Sequence, residues 1–377
     1  MRIVIAPDSF KHSLSAKEVC EAVRKGILSI PGNWDVTMVP MADGGEGTVH
    51  ALVDATGGKY YTQPVRDPML RNIKAQFGIL GDGKTAVIEM SAASGIELLK
   101  EDERNPWLTT SFGTGELIKA ALDKGCTRII VGIGGSATND GGMGMAKALG
   151  IKFLDSKGES LGEGGGELGK LASIDISAAD PRLQETEVIV ACDVNNPLTG
   201  AQGASRVYGP QKGAGPNMVK ELDQNLSILA RLVKETLGKE IKNIPGSGAA
   251  GGLGAGLMAF TNARLQPGFD IVAKETRLGE KLQGCDLVIT GEGKIDSQTQ
   301  YGKTPMGVLK EAKKYNLPVI AIAGTLGEGY LDLYDLGFDA IFSIIDKPMS
   351  LDEAMITAEE LLMRAGQTIL RMWLAAK

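Results

Sequence analysis

Short apolar runs rich in β-branched residues alternate with amphipathic helical stretches at both ends of this 377-residue chain. The first run, "IVIA", precedes a helical pattern that begins with the capping-box pair Ser15 and Glu18. Near the other end, "DLVITGEG", "PVIAIAG" and "DAIFSIID" are typical of buried strands, and a helix is predicted from Thr304 to Tyr315. This alternation predicts an α/β fold with a parallel sheet that is covered by helices on both faces.

The middle of the chain follows a different pattern. A hairpin-like stretch at 60–80 precedes further predicted strands and several glycine-rich loops. We therefore predict two α/β domains, because a chain of this length commonly exceeds one core. Residues 1–60 and 285–377 would form a flavodoxin- or Rossmann-like parallel sheet with helices on both faces, and residues 61–284 an inserted second α/β domain. The active site is expected in the cleft between the two domains.

The 51 glycines of the chain cluster in loops, and they are roughly twice the usual share of about 7%. The densest cluster, "GIGGSATNDGGMG" at 132–144, follows the predicted strand "RIIV". Residues 139–142 disfavour a helix, so the next helix is expected near Met143. A polar loop before a helix offers backbone N–H groups to an anion, although a plain turn would have a similar composition. The candidate binding residues here are Gly134, Gly135, Ser136, Thr138, Asn139 and Asp140.

Five other loops combine small and polar residues, nearly all of them at predicted strand ends. In parallel sheets, the loops at the carboxyl ends of the strands meet along one edge and bind ligands there. Carboxylates that suit Mg²⁺, lysines that neutralise negative charge and glycine N–H groups together indicate phosphoryl transfer. The candidate binding residues of these loops are Asp8, Ser9, Gly44, Gly45, Asn195, Gly251, Gly252, Glu292, Lys294, Asp296 and Lys303.

Three residues are candidates for catalysis. Asp193 follows the apolar run "EVIVAC" and would accept the proton of an attacking hydroxyl group or orient its oxygen, with Asp43 as the reserve for this role. Lys11 would contact a phosphate or a substrate carboxylate. Asp193 and Asp296 are the candidate Mg²⁺ ligands. Structural alternatives stay open, in which Asp193 caps a turn, Asp296 is a helix N-cap and Lys303 is a solvated lysine at a helix start.

Two nucleotide-binding patterns can be tested directly. The P-loop pattern GxxxxGK[ST] is absent, because Ser297 stands where its first glycine would be. The dinucleotide fingerprint GxGxxA is matched by Gly132, Gly134 and Ala137, and Asp155 follows about twenty residues later. A dehydrogenase is therefore one alternative.

Other classes of protein are disfavoured by composition. The net charge is −6 and no long Lys/Arg run occurs, so we expect no nucleic-acid partner. The 4 cysteines are far apart, which disfavours a structural zinc site, and the nucleophile elbow GxSxG is absent. Neither a signal peptide nor an apolar window of about 20 residues is present. We expect a cytoplasmic protein without a membrane partner.

Six stretches of the chain resemble those of one family, the bacterial glycerate kinases that are related neither to P-loop kinases nor to the sugar-kinase folds. These stretches are "APDSFKHSLSA", "MADGGEGT", "GIGGSATNDGGMG", "VACDVNNPL", "GAAGGLG" and "DLVITGEGKIDSQTQYGKTPMGV". The resemblance extends from Arg2 to about Leu374. His12 is a departure from the family pattern, because glycine is more usual at that point of the loop.

The resemblance implies ATP-dependent phosphorylation of D-glycerate, with Mg²⁺ as cofactor and 2-phosphoglycerate as the product that such enzymes generally give. It also implies two α/β domains, one of them flavodoxin-like. The expected partners are the small molecules D-glycerate and ATP, and the sequence leaves a monomer or a dimer open. Two alternatives from other classes stay open: an NAD-dependent hydroxyacid dehydrogenase, and a non-catalytic sensor that binds glycerate or a nucleotide.

Overall fold

The computed structural model describes residues 1–376 and divides into two compact units. The first unit contains Met1–Asp43, His50–Gly57 and the chain from Phe269 onwards. The second contains Gly44–Val49 and Gly58–Gly268.

Strands and helices alternate through the described chain. The strands are β1 (Arg2–Ile5), β2 (Asp35–Met38), β3 (Lys59–Arg66), β4 (Asn72–Ile79), β5 (Thr85–Glu89), β6 (Arg128–Gly132), β7 (Lys152–Leu154), β8 (Ser173–Asp175), β9 (Glu187–Ala191), β10 (Ala263–Gln266), β11 (Leu287–Ile295), β12 (Val319–Leu326) and β13 (Ala340–Ser343). The α-helices are α1 (Ala16–Leu28), α2 (Thr48–Thr56), α3 (Ser91–Ser94), α4 (Phe112–Asp123), α5 (Met143–Ala148), α6 (Ala204–Tyr208), α7 (Pro216–Leu237), α8 (Ala249–Phe260), α9 (Gly268–Glu275), α10 (Leu278–Leu282), α11 (Thr304–Lys313), α12 (Leu351–Ile356) and α13 (Ala358–Ala375).

The first unit is built on a five-stranded sheet in the order β13-β12-β11-β1-β2, and every pair in it is parallel. In β1, Ile3 pairs with Leu287 of β11 on one side and with Val36 of β2 on the other. Ile3 and Ile5 are fully enclosed, as the apolar run at the N-terminus predicts. Because all five strands run the same way, their carboxyl ends lie along one edge of the sheet.

Helices α1 and α13 pack closely against each other in the first unit. The capping box of Ser15 and Glu18 starts α1 where the sequence predicts it. Gly26 permits the approach, because a Cβ atom there would lie 2.0 Å from the carbonyl oxygen of Met363. Gly366 has the reciprocal role on α13, since its Cβ would lie 2.5 Å from the Val23 oxygen. Each helix therefore carries a glycine where the other helix approaches its backbone.

The second unit is built on a six-stranded mixed sheet in the order β10-β9-β6-β5-β4-β3. Strands β5, β6, β9 and β10 are parallel, whereas β3 and β4 form the antiparallel hairpin that the sequence indicates at 60–80. A small antiparallel pair, β7 and β8, lies outside this sheet. One parallel sheet and one mixed sheet with a parallel part, both flanked by helices, confirm the predicted α/β fold class.

Helices α9 and α10 precede the predicted boundary at residue 285, yet from Phe269 the chain already groups with the first unit. The domain limits drawn from the sequence stay a prediction. No helix within residues 1–376 combines the length and the apolar character needed to cross a membrane.

Candidate functional site

Three carboxylates of the first unit lie near the carboxyl ends of adjacent strands. Asp8 follows β1, Asp43 follows β2, and Glu292 lies in the last part of β11. Strand β1 lies between the other two in the sheet. The backbone N–H of Asp8 donates to the carbonyl oxygen of Gly291 at 2.8 Å, which fixes the loop after β1 against β11. We call these residues the carboxylate cluster: Asp8, Asp43 and Glu292.

The members of the carboxylate cluster affect one another electrostatically. Burial, followed by the negative charges of Asp43 and Glu292, raises the pKa of Asp8 to about 7, against hydrogen bonds from Thr304 and Ser9 that lower it. Burial also raises the pKa of Glu292, with a smaller contribution from Asp43. Carboxylates that repel one another in this way favour either a shared proton or a bound cation.

Hydroxyl and cationic groups surround the carboxylate cluster. The Thr304 hydroxyl, at the start of α11, donates to Asp8 Oδ2 at 2.6 Å, and the Ser9 N–H donates to Asp8 Oδ1 at 2.6 Å. Glu292 accepts a hydrogen bond from Thr299 Oγ1 at 2.7 Å and forms an ion pair with Lys303 at 3.3 Å. Lys303 therefore belongs to this cluster of side chains and is not simply a solvated lysine.

Asp296 also lies in the first unit, and it has a structural role. Its Oδ1 accepts from the Gln298 N–H at 2.9 Å, and its Oδ2 pairs with Lys294 Nζ at 2.9 Å. These hydrogen bonds, that from Lys294 first, lower the pKa of Asp296. Both oxygens thus have protein partners, as in the N-cap alternative. A role for Asp296 as an Mg²⁺ ligand stays a prediction.

Lys11 lies at the tip of the turn after β1. Phe10 and Leu14 close this turn by backbone hydrogen bonds of 2.8 and 3.0 Å, and Lys11 is exposed. The next residue, His12, has φ 64°, in the left-handed region that favours glycine. This conformation explains why glycine suits that position in the family pattern.

In the second unit, the loop 132–144 follows β6 and leads into α5, which begins at Met143 as predicted. Gly134 and Gly135 are exposed, and Gly135 has φ 70°. The loop then turns inward, because Ser136, Thr138, Asn139 and Asp140 are all buried. Only the exposed turn at 134–135 presents backbone to solvent before the loop is enclosed.

Asp140 holds this loop in place. Its Oδ2 accepts from the Ser111 N–H and Ser111 Oγ, each at 2.8 Å, and from the Gly144 N–H at 3.1 Å. Its Oδ1 accepts from the Gly142 N–H at 3.1 Å. Four donors and complete burial indicate an internal anchor. The predicted contact of Asp140 with substrate stays a prediction, and this bonding favours an indirect role.

Asp193 follows β9 by two residues and is exposed. Its Oδ1 accepts from the Gly268 N–H at 3.0 Å. Gly44 lies beside it with φ 91°, and a Cβ there would lie 2.7 Å from Gly268 Cα and 3.7 Å from Asp193 Oδ2. Gly45 is partly exposed and Asn195 is exposed. The surface around Asp193 therefore combines an accessible carboxylate with closely packed glycine backbone.

Gly251 and Gly252 lie in a left-handed turn within α8, with φ 67° and 88°. A Cβ on Gly251 would lie 1.9 Å from the Thr138 carbonyl oxygen, and the Gly251 oxygen accepts from the Gly141 N–H at 3.1 Å. Both glycines are buried. They pack α8 against the loop 132–144, and a direct contact with substrate stays a prediction.

Several polar residues of these clusters were not among the candidates from the sequence. Ser111 and Lys212 contact the loop 132–144, and Thr299 and Thr304 contact the carboxylate cluster. Lys212 lies in "GPQKGAGP", where flanking glycine and proline indicate an irregular turn but give no sign that the lysine is buried.

A sequence model of the glycerate kinase family matches residues 3–374. The chain belongs to the glycerate kinase family. Glycerate 2-kinase of Escherichia coli is 53% identical over 369 residues, covering 98% of this chain and 97% of that protein. Glycerate kinase of Halalkalibacterium halodurans is 52% identical over 367 residues, covering 97% of each. The crystal structure described as glycerate kinase 2 from Salmonella typhimurium has a TM-score of 0.92 and 48% identity, covering 100% of this chain and 99% of that one.

Membership in the glycerate kinase family confirms the resemblance found in the sequence. It also confirms the predicted class of enzyme, a phosphotransferase that acts on an alcohol group. The dehydrogenase alternative rested on Asp155, which lies just after β7. Strand β7 pairs with β8 outside the main sheet, and the Asp155 carboxylate accepts from the Lys157 and Glu159 N–H groups in a local turn. Asp155 is therefore not at the end of a neighbouring parallel strand, where the dinucleotide fingerprint requires it.

Proposed function

We propose that this member of the glycerate kinase family transfers the γ-phosphoryl group of ATP to D-glycerate, giving ADP and 2-phosphoglycerate. The observation that carries the proposal is the carboxylate cluster, which gathers Asp8, Asp43 and Glu292 from three adjacent strands, with Thr304 bonded to Asp8 and Lys303 paired with Glu292. Concentrated negative charge beside a cation is typical of sites that hold a metal ion and phosphate groups. The name of the Escherichia coli relative, glycerate 2-kinase, supports the 2-hydroxyl as acceptor.

Asp193 is the proposed group that accepts the proton of the attacking hydroxyl or orients its oxygen. Its carboxylate is exposed, and the Gly268 N–H holds one of its oxygens. An exposed carboxylate just after a strand can contact a substrate hydroxyl and accept its proton. Asp43 is the reserve for this role, and Lys11 would contact a phosphate or the glycerate carboxylate.

Asp8 and Asp43 fit an Mg²⁺ ion better than Asp296 does. Mg²⁺ in phosphoryl-transfer sites is commonly held by one or two carboxylates together with substrate phosphates. Among residues 1–376, no group of three His, Cys, Asp or Glu side chains is arranged as a complete metal site. Burial and the negative charge of Asp43 raise the pKa of Asp8, so a cation beside these two carboxylates would stabilise their charged forms, whereas Lys294 already neutralises Asp296. When bound, the ion would neutralise charge on the transferring phosphoryl group.

The remaining roles follow from the exposed groups of each unit. The backbone N–H groups near Gly134 and Gly135 would bind an anionic group, either a phosphate or the glycerate carboxylate. The active site between the two domains stays a prediction from the sequence, as do a cytoplasmic location and a monomeric or dimeric state. D-Glycerate and ATP remain the proposed small-molecule partners.

Ligand-dependent thermal shift followed by a coupled assay of ADP release tests the proposal. ATP with Mg²⁺ and D-glycerate should each raise the Tm, because a ligand at about 100 times its Kd stabilises the folded state by about 2.7 kcal/mol. ADP release should then require D-glycerate. Stabilisation by NADH alone would favour the dehydrogenase alternative, and stabilisation without ADP release would favour the non-catalytic sensor.

A further inference from the structure

Lys212 is a buried lysine outside the residues proposed to touch substrate. It ends a short helical turn at Pro210–Lys212, and its side chain is only 1% exposed. Gly213 follows with φ 96°, and a Cβ there would lie 2.1 Å from the Arg104 carbonyl oxygen. The chain thus uses a left-handed glycine to pack this turn tightly against Arg104. Burying an ammonium group is costly unless hydrogen bonds and an opposite charge compensate.

The Lys212 ammonium group bonds to the loop 132–144 at two points. Nζ donates to Ser136 Oγ at 2.7 Å and to the Thr138 carbonyl oxygen at 2.7 Å. These acceptors come directly after the exposed glycines Gly134 and Gly135. Lys212 therefore fixes the loop at the point where it turns from the surface into the interior.

Lys212 and Asp140 hold opposite ends of one buried segment. Asp140 is bonded to Ser111 and to the start of α5, and its negative charge acts on the Lys212 ammonium. Between the two anchors, Thr138 Oγ1 and Asn139 Oδ1 are buried without a hydrogen-bond partner in the described chain. Arg104 also packs against this turn, through its backbone at Gly213. Backbone hydrogen bonds from the Ile96 N–H to the Gly135 oxygen and from the Ala137 N–H to the Ser94 oxygen hold the same segment, so the charged groups act together with these bonds.

We infer that Lys212 is a positioning residue, whose ammonium group holds the Gly134–Gly135 turn in the shape that receives an anionic group of a substrate. The inference rests on the proposed function for the identity of that anion, a phosphate of ATP or the carboxylate of D-glycerate. Burial lowers the pKa of Lys212 to about 7, although Asp140 opposes this effect. The hold on the loop therefore weakens as the pH rises through about 7, because the ammonium loses its proton there.

The test compares Lys212→Met with Lys239→Met. Lys239 is the matched control, because its Nζ also donates to backbone carbonyl oxygens of the second unit, those of Met258, Ala259 and Thr261, but away from the loop 132–144. In ligand-free protein, hydrogen exchange at residues 134–138 should quicken about tenfold or more in Lys212→Met only. Its Tm should fall by about 2 °C or more, because Ser136 Oγ and the Thr138 carbonyl oxygen lose their shared donor.

Kinetics provide the second readout. In Lys212→Met, the KM for ATP or D-glycerate should rise about tenfold or more while kcat changes less, since binding geometry and not the chemical step is lost. The unmodified enzyme should show a KM that rises from about pH 6 to pH 8, and Lys212→Met should lack this rise because it has no ammonium to lose.

The exchange readout separates this inference from the proposed function. Unchanged exchange at 134–138 in a folded Lys212→Met protein overturns the role of Lys212, whether or not the enzyme phosphorylates glycerate. Absence of ADP release from the unmodified protein overturns the proposed function and leaves the exchange result valid. If Lys212→Met does not fold, Ser136→Ala removes one acceptor of the same ammonium, and it should quicken exchange at 134–135 while unchanged exchange there overturns the inference.

Discussion

The carboxylates of the strand-end loops differ in the number of hydrogen bonds that they accept and in their burial. These differences indicate different roles. Asp140 accepts four hydrogen bonds and is buried. Asp8 accepts hydrogen bonds from Thr304 and Ser9, but burial and neighbouring negative charge destabilise its charged form. Asp193 is exposed with one oxygen held by Gly268. Asp140 is the least available of the three to a ligand, because replacing four good donors would cost more than a substrate contact returns.

Asp193→Asn is expected to lower kcat by about 100-fold or more at an unchanged Tm. Asparagine nearly preserves the shape of the side chain and still accepts from the Gly268 N–H, but it cannot accept a proton. Steady-state kinetics with a thermal-melt control measure both quantities. A near-normal kcat in Asp193→Asn, with the loss seen instead in Asp43→Asn, would transfer the role to Asp43.

Asp8→Asn is expected to become more stable relative to the unmodified protein as the pH rises. The folded-state pKa of Asp8 is raised to about 7, so the folded protein binds this proton more tightly than the unfolded chain does. The unmodified protein therefore loses stability between about pH 4 and pH 7, and Asp8→Asn does not. The Tm of Asp8→Asn minus the Tm of the unmodified protein should increase by about 3 °C or more from pH 5 to pH 8.

Asp82→Asn is the matched control for this pH dependence. Burial would raise the pKa of Asp82, but hydrogen bonds from Thr85 and Lys84 outweigh it and lower the pKa. The stability that Asp82 contributes is fully present above pH 4, so its substitution should have a constant effect from pH 5 to pH 8. If the Tm of Asp8→Asn minus that of the unmodified protein stays constant or decreases over this range, the described electrostatics of the carboxylate cluster are contradicted.

At the scale of elements, the sheets place the candidate groups and the helices hold the sheets in place. Parallel pairing of β1, β2 and β11 brings Asp8, Asp43 and Glu292 to one edge. On the helical layer, α1 and α13 approach through Gly26 and Gly366. Glycine thus has two uses in this chain: it permits unusual backbone conformations in loops, and it lets two helices approach each other closely.

Gly26→Ala is expected to lower the Tm, although alanine favours a helix by about 1 kcal/mol over glycine. The new Cβ would lie 2.0 Å from the Met363 oxygen, so α13 must move, and overpacking of this kind costs about 1–3 kcal/mol or more. We expect a fall of about 4 °C or more in a thermal melt. Gly215→Ala is the control, because φ there is −73° and nothing lies within 4 Å of the added Cβ. Equal Tm values for the two variants would show that α1 and α13 are not in close contact.

For the whole molecule, the parts of the fold that depend on local pattern were predictable from the sequence. Apolar runs gave β1, β9, β11 and β12, and the interruption at 139–142 gave the start of α5 at Met143. From Leu351 onwards the helical stretch is divided into α12 and α13, which meet at Thr357 with φ −97° and ψ 10°. A single β-branched residue is too weak a signal to predict such a break.

The site was predictable only in outline. Glycine-rich loops at strand ends identify where ligands bind, since this rule depends on parallel topology alone. The burial of Lys212 and the saturation of Asp140 depend on contacts with residues distant in sequence, such as Ser136 and Ser111. No local pattern carries that information, so Asp140 was predicted as a ligand contact and Lys212 was not predicted at all.

The most direct test of the central claim is ³¹P NMR of the protein incubated with ATP, Mg²⁺ and D-glycerate. The account predicts a new phosphate ester that forms in equal amount with ADP. Its signal should be a doublet, because phosphorus on the 2-oxygen couples to the single proton on C2, whereas an ester at the 3-oxygen couples to two protons and gives a triplet. A triplet would contradict transfer to the 2-hydroxyl, and inorganic phosphate without any ester would contradict phosphorylation of glycerate altogether.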